Sequence, residues 1–208
     1  MSTAKTRRDK IILTAEIAIL SAIIVVMAFT PIGFLRVGPL ELTLIMVPVI
    51  VGAVTMSPAV GAILGGVFGV MSFIQCFTGS ALGAILVSVS IVRTFIVCIP
   101  TRILAGYLCG LIFKALQSKD PKGSWSYVVA SVAGSALNTV FFLGILALLF
   151  FNVQFTPEQS EMLGGLSTAL NTVIAIATGI NAPIEMLVCA VIGSAVGKGV
   201  AVGIKKLK

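Results

Sequence analysis

Most of this sequence consists of long apolar runs separated by short polar segments. Hydrophobic residues make up 58% of the 208 residues and charged residues 10%, and the mean hydropathy is +1.16. This composition is too apolar for a soluble domain with a charged surface. A span of hydrocarbon needs about 20 apolar residues with every backbone group paired, and the runs lack the alternation of barrel strands. The sequence therefore predicts an all-α integral membrane protein.

The polar segments divide residues 1–208 into six predicted helices of a single membrane domain. These helices are expected near 11–30, 42–56, 58–76, 91–116, 125–151 and 169–204. The first run follows basic residues, as in a secretory signal, but it is too long and no small-residue cleavage site follows, so we expect it to be retained. Residues 77–90 are uncharged and fit either a seventh short helix or a re-entrant loop.

The basic residues favour six crossings with both termini in the cytosol. On this topology the basic residues of the N-terminus, of the connection after the fourth helix and of the C-terminus share one side. The positive-inside rule assigns that side to the cytosol. A seventh crossing would place Lys205, Lys206 and Lys208 outside, so we expect 77–90 to be an external, partly inserted loop. The net charge of +7 then reflects topology rather than nucleic-acid binding.

The sequence offers little for catalysis or metal binding. Histidine is absent, and the four cysteines, Cys76, Cys98, Cys109 and Cys189, are scattered without the paired spacing of a zinc site. No acidic cluster and no phosphate-binding loop occur. We therefore expect no catalytic residues, no metal and no cofactor, and any ATP-driven work must come from a partner.

Charged residues at the predicted external helix ends are candidate ligand contacts. Arg36 and Arg93 lie at the ends of the first and fourth helices, where a guanidinium group could pair with a carboxylate or phosphate. The alternative is that these side chains extend to the membrane interface. Arg102 lies deeper in the fourth helix, and an ion pair or carbonyl contact inside the bundle is favoured for it.

Polar residues also occur in the middle of the last two predicted helices. Asn138 and Thr139 interrupt an apolar stretch of the fifth helix, and Asn181 and Glu185 lie one turn apart in the sixth. An unpaired amide or carboxylate is costly at this depth. These residues are expected to form either an interhelical hydrogen bond or the polar wall of a pocket.

Small residues recur every fourth position in several predicted helices. Examples are Ala18 and Ala22 in the first helix and Gly61, Gly65 and Gly69 in the third. Such stripes let helix backbones approach closely in lipid. Packing within the bundle is favoured for the third helix, whereas the stripe of the first helix fits either internal packing or docking of another membrane subunit.

Several of these features together resemble the substrate-specific (S) components of energy-coupling factor (ECF) vitamin transporters. They are the Ala18-xxx-Ala22 stripe after a basic N-terminus, the segment 31–38, Phe68-Gly-Val-Met-Ser72, Gly134-Ser-Ala-Leu-Asn-Thr139 and Asn181-Ala-Pro-Ile-Glu185. The resemblance implies a multi-pass protein of the bacterial cell membrane that captures a vitamin in an outward pocket closed by external loops. It also implies docking, through Ala18 and Ala22, on a membrane coupling protein driven by two cytosolic ATPases.

Among such proteins the Gly-Ser-x-x-Asn-Thr run is most similar to pantothenate-type S components. An anionic vitamin would suit Arg93 or Arg36, with Asn138, Thr139, Asn181 and Glu185 meeting its polar groups. Riboflavin or another vitamin is the alternative, and stacking on a flat ring would then fall to phenylalanines such as Phe77. The competing classes are a membrane-embedded enzyme and a structural membrane protein without a ligand.

Overall fold

Helices make up most of the chain in the computed structural model, which describes residues 7–31, 33–37, 40–120, 125–179 and 181–206. In chain order the elements are α1 Arg7–Ala28, β1 Phe34–Val37, β2 Leu40–Thr43, α2 Met46–Thr55, α3 Pro58–Thr78, α4 Ala81–Val89, α5 Ile91–Gln117, α6 Ser126–Phe150, α7 Pro157–Met162, α8 Ala169–Thr178, α9 Asn181–Val188, a π-helical turn Cys189–Gly193, and α10 Ser194–Lys206.

Within the described residues, five helical segments are long and apolar enough to cross a membrane. They are Lys10–Ala28, Pro58–Thr78, Ile91–Gln117, Ser126–Phe150 and Pro183–Val200. Helix α2 is apolar but has only 10 residues, so it is about 15 Å long, half the thickness of the hydrocarbon layer. The predicted helical architecture is thus confirmed, with five candidate membrane spans among the described residues.

A β-hairpin precedes α2, which begins at Met46 rather than near residue 42 as expected. Strand β1 pairs antiparallel with β2, with Phe34 opposite Thr43 and Val37 opposite Leu40. The sequence Leu40-Glu41-Leu42-Thr43 alternates apolar and polar residues, a period that favours a strand over a helix. The predicted start of α2 was wrong because the alternation of apolar and polar residues over 40–43 was not taken into account.

The segment 77–90, expected as a loop, contains the short helix α4. The Ser80 hydroxyl caps α4 by accepting a hydrogen bond from the Gly83 backbone N–H (3.2 Å). Ser90 ends α4, and its hydroxyl caps α5 by accepting a hydrogen bond from the Arg93 backbone N–H. Serine is a favoured N-cap residue, and the intervening residues are apolar. With 9 residues, α4 is about 13 Å long and is too short to span the bilayer.

The predicted last helix, 169–204, is broken into several pieces. Helix α8 is closed by Gly179, whose backbone N–H donates to the Ala175 carbonyl (2.9 Å) and whose ψ of 171° leaves the helical region. Helix α9 begins at Asn181 with Pro183 in its first turn, where a missing N–H is tolerated. Glycine and proline close together therefore explain why the single predicted helix was wrong.

The centre of the bundle is the contact between α3 and α5, where glycines bring the two backbones together. A Cβ atom added at Gly65 would lie 2.2 Å from the Arg102 carbonyl oxygen, and one at Gly61 would lie 2.4 Å from that of Gly106. Hence the glycine stripe of α3 serves internal packing. Around it lies a core that includes Ile24, Ile50, Leu64, Phe68 and Ala105.

The contacts also bring both ends of the described chain to one end of the bundle. The Gln75 side chain donates to the Ala28 carbonyl, so α1 and α3 finish together. Gly197 of α10 packs against Val54 and Tyr127, which lie at the end of α2 and the start of α6. We call the end of the bundle where α2 finishes and α6 begins the terminal end. We call the opposite end, where α1 and α3 finish and α5 begins, the hairpin end.

Candidate functional site: a polar cavity

A cavity of about 110 Å³ lies between α3, α4, α5, α6, α8, α9 and β2, in the half of the bundle nearer the hairpin end. Its lining is unusually polar for the interior of an apolar helical protein. The polar and charged lining residues are Thr43, Ser72, Gln75, Ser80, Arg102, Asn138, Thr139 and Glu185. Apolar residues, among them Leu86, Phe142 and Leu143, complete the wall. Such a mixture is typical of a small-molecule site.

Glu185 of α9 joins three elements at this cavity. Its side chain is 7% exposed, and its Oε1 accepts hydrogen bonds from the Ser135 hydroxyl (3.4 Å) and the Asn138 amide (3.5 Å), both on α6. The Thr43 backbone, at the end of β2, is also hydrogen-bonded to this carboxyl group. A buried carboxyl needs such donors, and Glu185 therefore ties the hairpin and α9 to α6.

Asn138 contributes a second acceptor. Its amide nitrogen is used by Glu185, but its Oδ1 is buried and has no hydrogen-bond partner among the described residues. An unmet acceptor in the interior costs about 1–3 kcal/mol, which a donor on a bound molecule would recover. Thr139, the next residue of α6, lines the same cavity.

Arg102 of α5 places a buried guanidinium group at the cavity. The side chain is 5% exposed, and its Nη1 donates to the carbonyl oxygens of Cys98 (3.0 Å) and Val97 (3.4 Å). Its carbon Cζ lies 4.6 Å and 5.0 Å from the ring centres of Phe68 and Phe142. The expected carbonyl contact is thus present, and within the described chain no carboxylate forms a salt bridge with this cation. The arrangement can bind an anion.

Most of the chain matches one protein-family model. Residues 13–196, from α1 into α10, match the model of the ECF transporter substrate-specific component. The chain belongs to this family. No curated protein matches the sequence. Members of the family are transport proteins that bind substrate rather than enzymes, so this S component is a substrate-binding subunit of an ECF transporter in a membrane.

The S component brings together only some of the residues predicted to bind substrate. Asn138, Thr139 and Glu185 line the cavity. Arg93 is exposed at the start of α5, where its Nη1 donates to the Leu149 carbonyl (3.2 Å), and Phe77 is 55% exposed with its ring edge-on to Phe73. Neither of these two residues lines the cavity.

Two further residues were predicted to contact substrate. Arg36 lies in β1 and Asn181 is the first residue of α9. Their side chains fall outside the described part of the chain. Their predicted contact with substrate therefore stays a prediction.

Sequence reasoning missed most of the α3 and α4 contribution to the cavity. Ser72, Gln75 and Cys76 come from the end of α3, and Ser80 precedes α4. A signal was available, because positions 72, 75 and 76 share one helix face near the end of an otherwise apolar run. Arg102 was singled out, but a structural contact was favoured for it over a role at the site.

The alanine stripe of α1 faces away from the bundle. Ala18 and Ala22 are exposed, as are the neighbouring Ile19 and Ile23. Only 11% of the α1 span is buried, against 44% for α3 and α5. The stripe is therefore not used for packing within the described chain.

Proposed function

We propose that this S component captures a small water-soluble vitamin from outside the cell, with pantothenate as the favoured substrate. The observation that carries the proposal is the polar cavity, in which a buried cation, Arg102, lies with the acceptors of Asn138 and Glu185. Pantothenate has a carboxylate for the guanidinium group, and it has hydroxyl and amide groups to donate to the two acceptors. Thr139 and Ser72 offer further hydroxyls along its length.

Riboflavin is the alternative vitamin, and the lining of the cavity favours it less. A flat three-ring system is normally held between aromatic faces. Phe142 is the aromatic residue in the described lining, and its ring already lies beside Arg102. A compact anion with several hydrogen-bonding groups matches this wall better.

The proposal includes six crossings of a bacterial cell membrane, with both termini in the cytosol. The terminal end of the bundle carries the basic residues Arg7, Arg8, Lys10, Lys114 and Lys119, in line with the positive-inside rule. On this topology α2 and β2 make the second crossing together, and α4 returns to the side from which it came. The cavity, nearer the hairpin end, then receives substrate from outside.

We also propose that the exposed stripe of α1 docks on the membrane coupling protein of the transporter. Ala18 and Ala22 leave a shallow, apolar strip on which another helix can pack at short distance. The coupling protein and its two cytosolic ATPases would supply the energy, since this sequence has no phosphate-binding loop.

The decisive experiment measures pantothenate binding by calorimetry to the detergent-purified protein. We expect high-affinity binding, which Arg102→Gln weakens by about 10- to 100-fold, the equivalent of one charge-assisted hydrogen bond. Arg93→Gln is the matched control, because it removes the same charge from the same helix outside the cavity and should leave the affinity unchanged. Thermal unfolding shows whether each variant is folded.

Two results would contradict the proposal. If pantothenate fails to bind, the substrate assignment is wrong. If Arg93→Gln weakens binding as much as Arg102→Gln does, the cavity is not where the anion binds. Thr139→Val, which keeps the volume and removes one hydroxyl, serves if Arg102→Gln does not fold.

A further inference from the structure

Two cysteines from different helices meet at the wall of the cavity. The Sγ atoms of Cys76 on α3 and Cys98 on α5 are 3.8 Å apart, and both residues line the cavity. The two residues are 22 positions apart in the sequence, and they are 6% and 1% exposed. A reagent that enters the cavity can therefore reach both sulfur atoms at once.

Close backbone packing holds this pair of sulfur atoms at its present separation. A Cβ atom added at Gly69 of α3 would lie 2.9 Å from the Cys98 carbonyl oxygen, and one added at Gly83 of α4 would lie 2.8 Å from the Cys76 sulfur. The Cys76 thiol also donates to the Ser72 carbonyl (3.3 Å). The helices carrying the two thiols thus have little freedom to separate.

The separation matches the distance that a metal ion requires between two thiolate ligands. In a tetrahedral site with metal–sulfur bonds of about 2.3 Å, two ligand sulfur atoms are about 3.8 Å apart. A disulfide would instead need the sulfur atoms to approach to about 2.05 Å. At 3.8 Å one thiol can donate a hydrogen bond to the other, and the same separation allows both sulfur atoms to bind one ion without the helices moving apart.

We propose that Cys76 and Cys98 form a two-thiolate binding site for a soft divalent cation, such as Zn²⁺ or Cd²⁺, inside the substrate cavity. Binding replaces the two thiol protons by the ion: one M²⁺ and two thiols give a neutral M(S-Cys)₂ unit, and two protons leave through the cavity to solvent. Thiolate ligands select such soft cations over Mg²⁺ or Ca²⁺. A neutral unit is also compatible with a buried position.

The site is open on its cavity side. Within the described chain, no group of three or more histidine, cysteine or acidic residues could hold a metal ion. Two of the four tetrahedral positions would thus be filled by water or by other small ligands. An ion held there occupies space that the vitamin would need, and we expect the two to exclude each other. This last point rests on the proposed function, whereas binding of the ion does not.

A Cd²⁺ titration of the purified protein without vitamin tests the site, because cadmium–thiolate bonds absorb in the near ultraviolet. We expect a saturable band at one Cd²⁺ per protein, lost in Cys76→Ser and in Cys98→Ser. The controls are Cys109→Ser and Cys189→Ser, whose thiols are also buried but do not line the cavity. The band should persist in both.

Loss of the band in the control variants but not in the cavity variants would overturn the proposal, as would no band in the wild-type protein.

A second measurement needs no variant. Cd²⁺ should lower the apparent affinity for pantothenate at least 10-fold, and a dithiol chelator should restore it. If the band depends on Cys76 and Cys98 but pantothenate does not bind, the metal site is supported and the assignment of pantothenate as substrate is refuted. Simultaneous binding of both ligands would overturn the exclusion.

Discussion

Asp120 illustrates how a single residue fixes a helix start. Its Oδ2 accepts hydrogen bonds from the backbone N–H groups of Trp125 and Ser126, both at 2.9 Å, where α6 begins. The carboxyl group is buried, and it satisfies two donors that have no partner within the helix. The negative charge also lies at the positive end of the helix dipole.

Replacing Asp120 should therefore destabilise the start of α6. We expect Asp120→Ala to cost about 1–2 kcal/mol, the usual cost of a lost helix cap, and to lower the unfolding temperature. Asp120→Asn, which keeps one acceptor oxygen, should lose less. Thermal unfolding in detergent measures both. Equal stability of Asp120→Ala and the wild-type protein would show that the cap is dispensable.

The sequence also identified which polar residues are costly to bury in the apolar helices, but it did not identify their hydrogen-bond partners. Glu185, Asn138 and Thr139 stood out as polar residues in apolar runs, and the structure gathers them at one cavity. Their partners were not predictable, because Ser135 and Glu185 are 50 residues apart and meet only through the packing of α6 and α9. The position of Arg93 outside the cavity lining was not predictable for the same reason, since it depends on how α5 is oriented.

Among the elements, the α3 and α5 pair depends on the absence of side chains. A valine at Gly65 would place its Cβ atom 2.2 Å from the Arg102 carbonyl oxygen, so the two backbones would have to move apart. We expect Gly65→Val to cost several kcal/mol, more than the about 1–3 kcal/mol typical of overpacking, because the obstacle is backbone. It should also weaken pantothenate binding by displacing Arg102.

Gly144 of α6 provides the matched control. A Cβ atom there meets nothing within 4 Å. Gly144→Ala should leave binding intact and raise stability by up to about 1 kcal/mol through its higher helix propensity. Thermal unfolding and calorimetry of both variants check the pair. A fully stable Gly65→Val protein would show that the close approach is not required.

The long helices were predictable from their apolar length, whereas the shorter elements were not. Helices α3, α5 and α6 lie close to their predicted ranges because lipid permits little else over such runs. Helix α4, the hairpin and the break at Gly179 occur where the protein itself can shield or pair the backbone. Length and hydropathy carry no information on that shielding.

For the whole molecule, the question is which surface faces the rest of the transporter. We expect Ala18→Trp and Ala22→Trp to abolish vitamin uptake by the assembled transporter while leaving binding to the isolated S component unchanged, because a large ring would prevent close docking. Leu148→Trp is the control, since Leu148 is 77% exposed on α6 and away from the stripe. Uptake assays in membrane vesicles compare the three. Normal uptake by both alanine variants would refute the docking surface.

The shortness of α2 has a consequence for the proposed second crossing, which α2 and β2 would make together. An extended chain rises about 3.3 Å per residue against 1.5 Å for a helix, so the 4 residues of β2 add about 13 Å to the 15 Å of α2. Their sum is close to the thickness of the acyl-chain layer. A strand cannot pair its own amides, and acyl chains offer no substitute. On the proposed topology, the β2 edge that is not paired with β1 would therefore face the protein interior or water, and orientations of the hairpin that expose this edge to lipid are excluded.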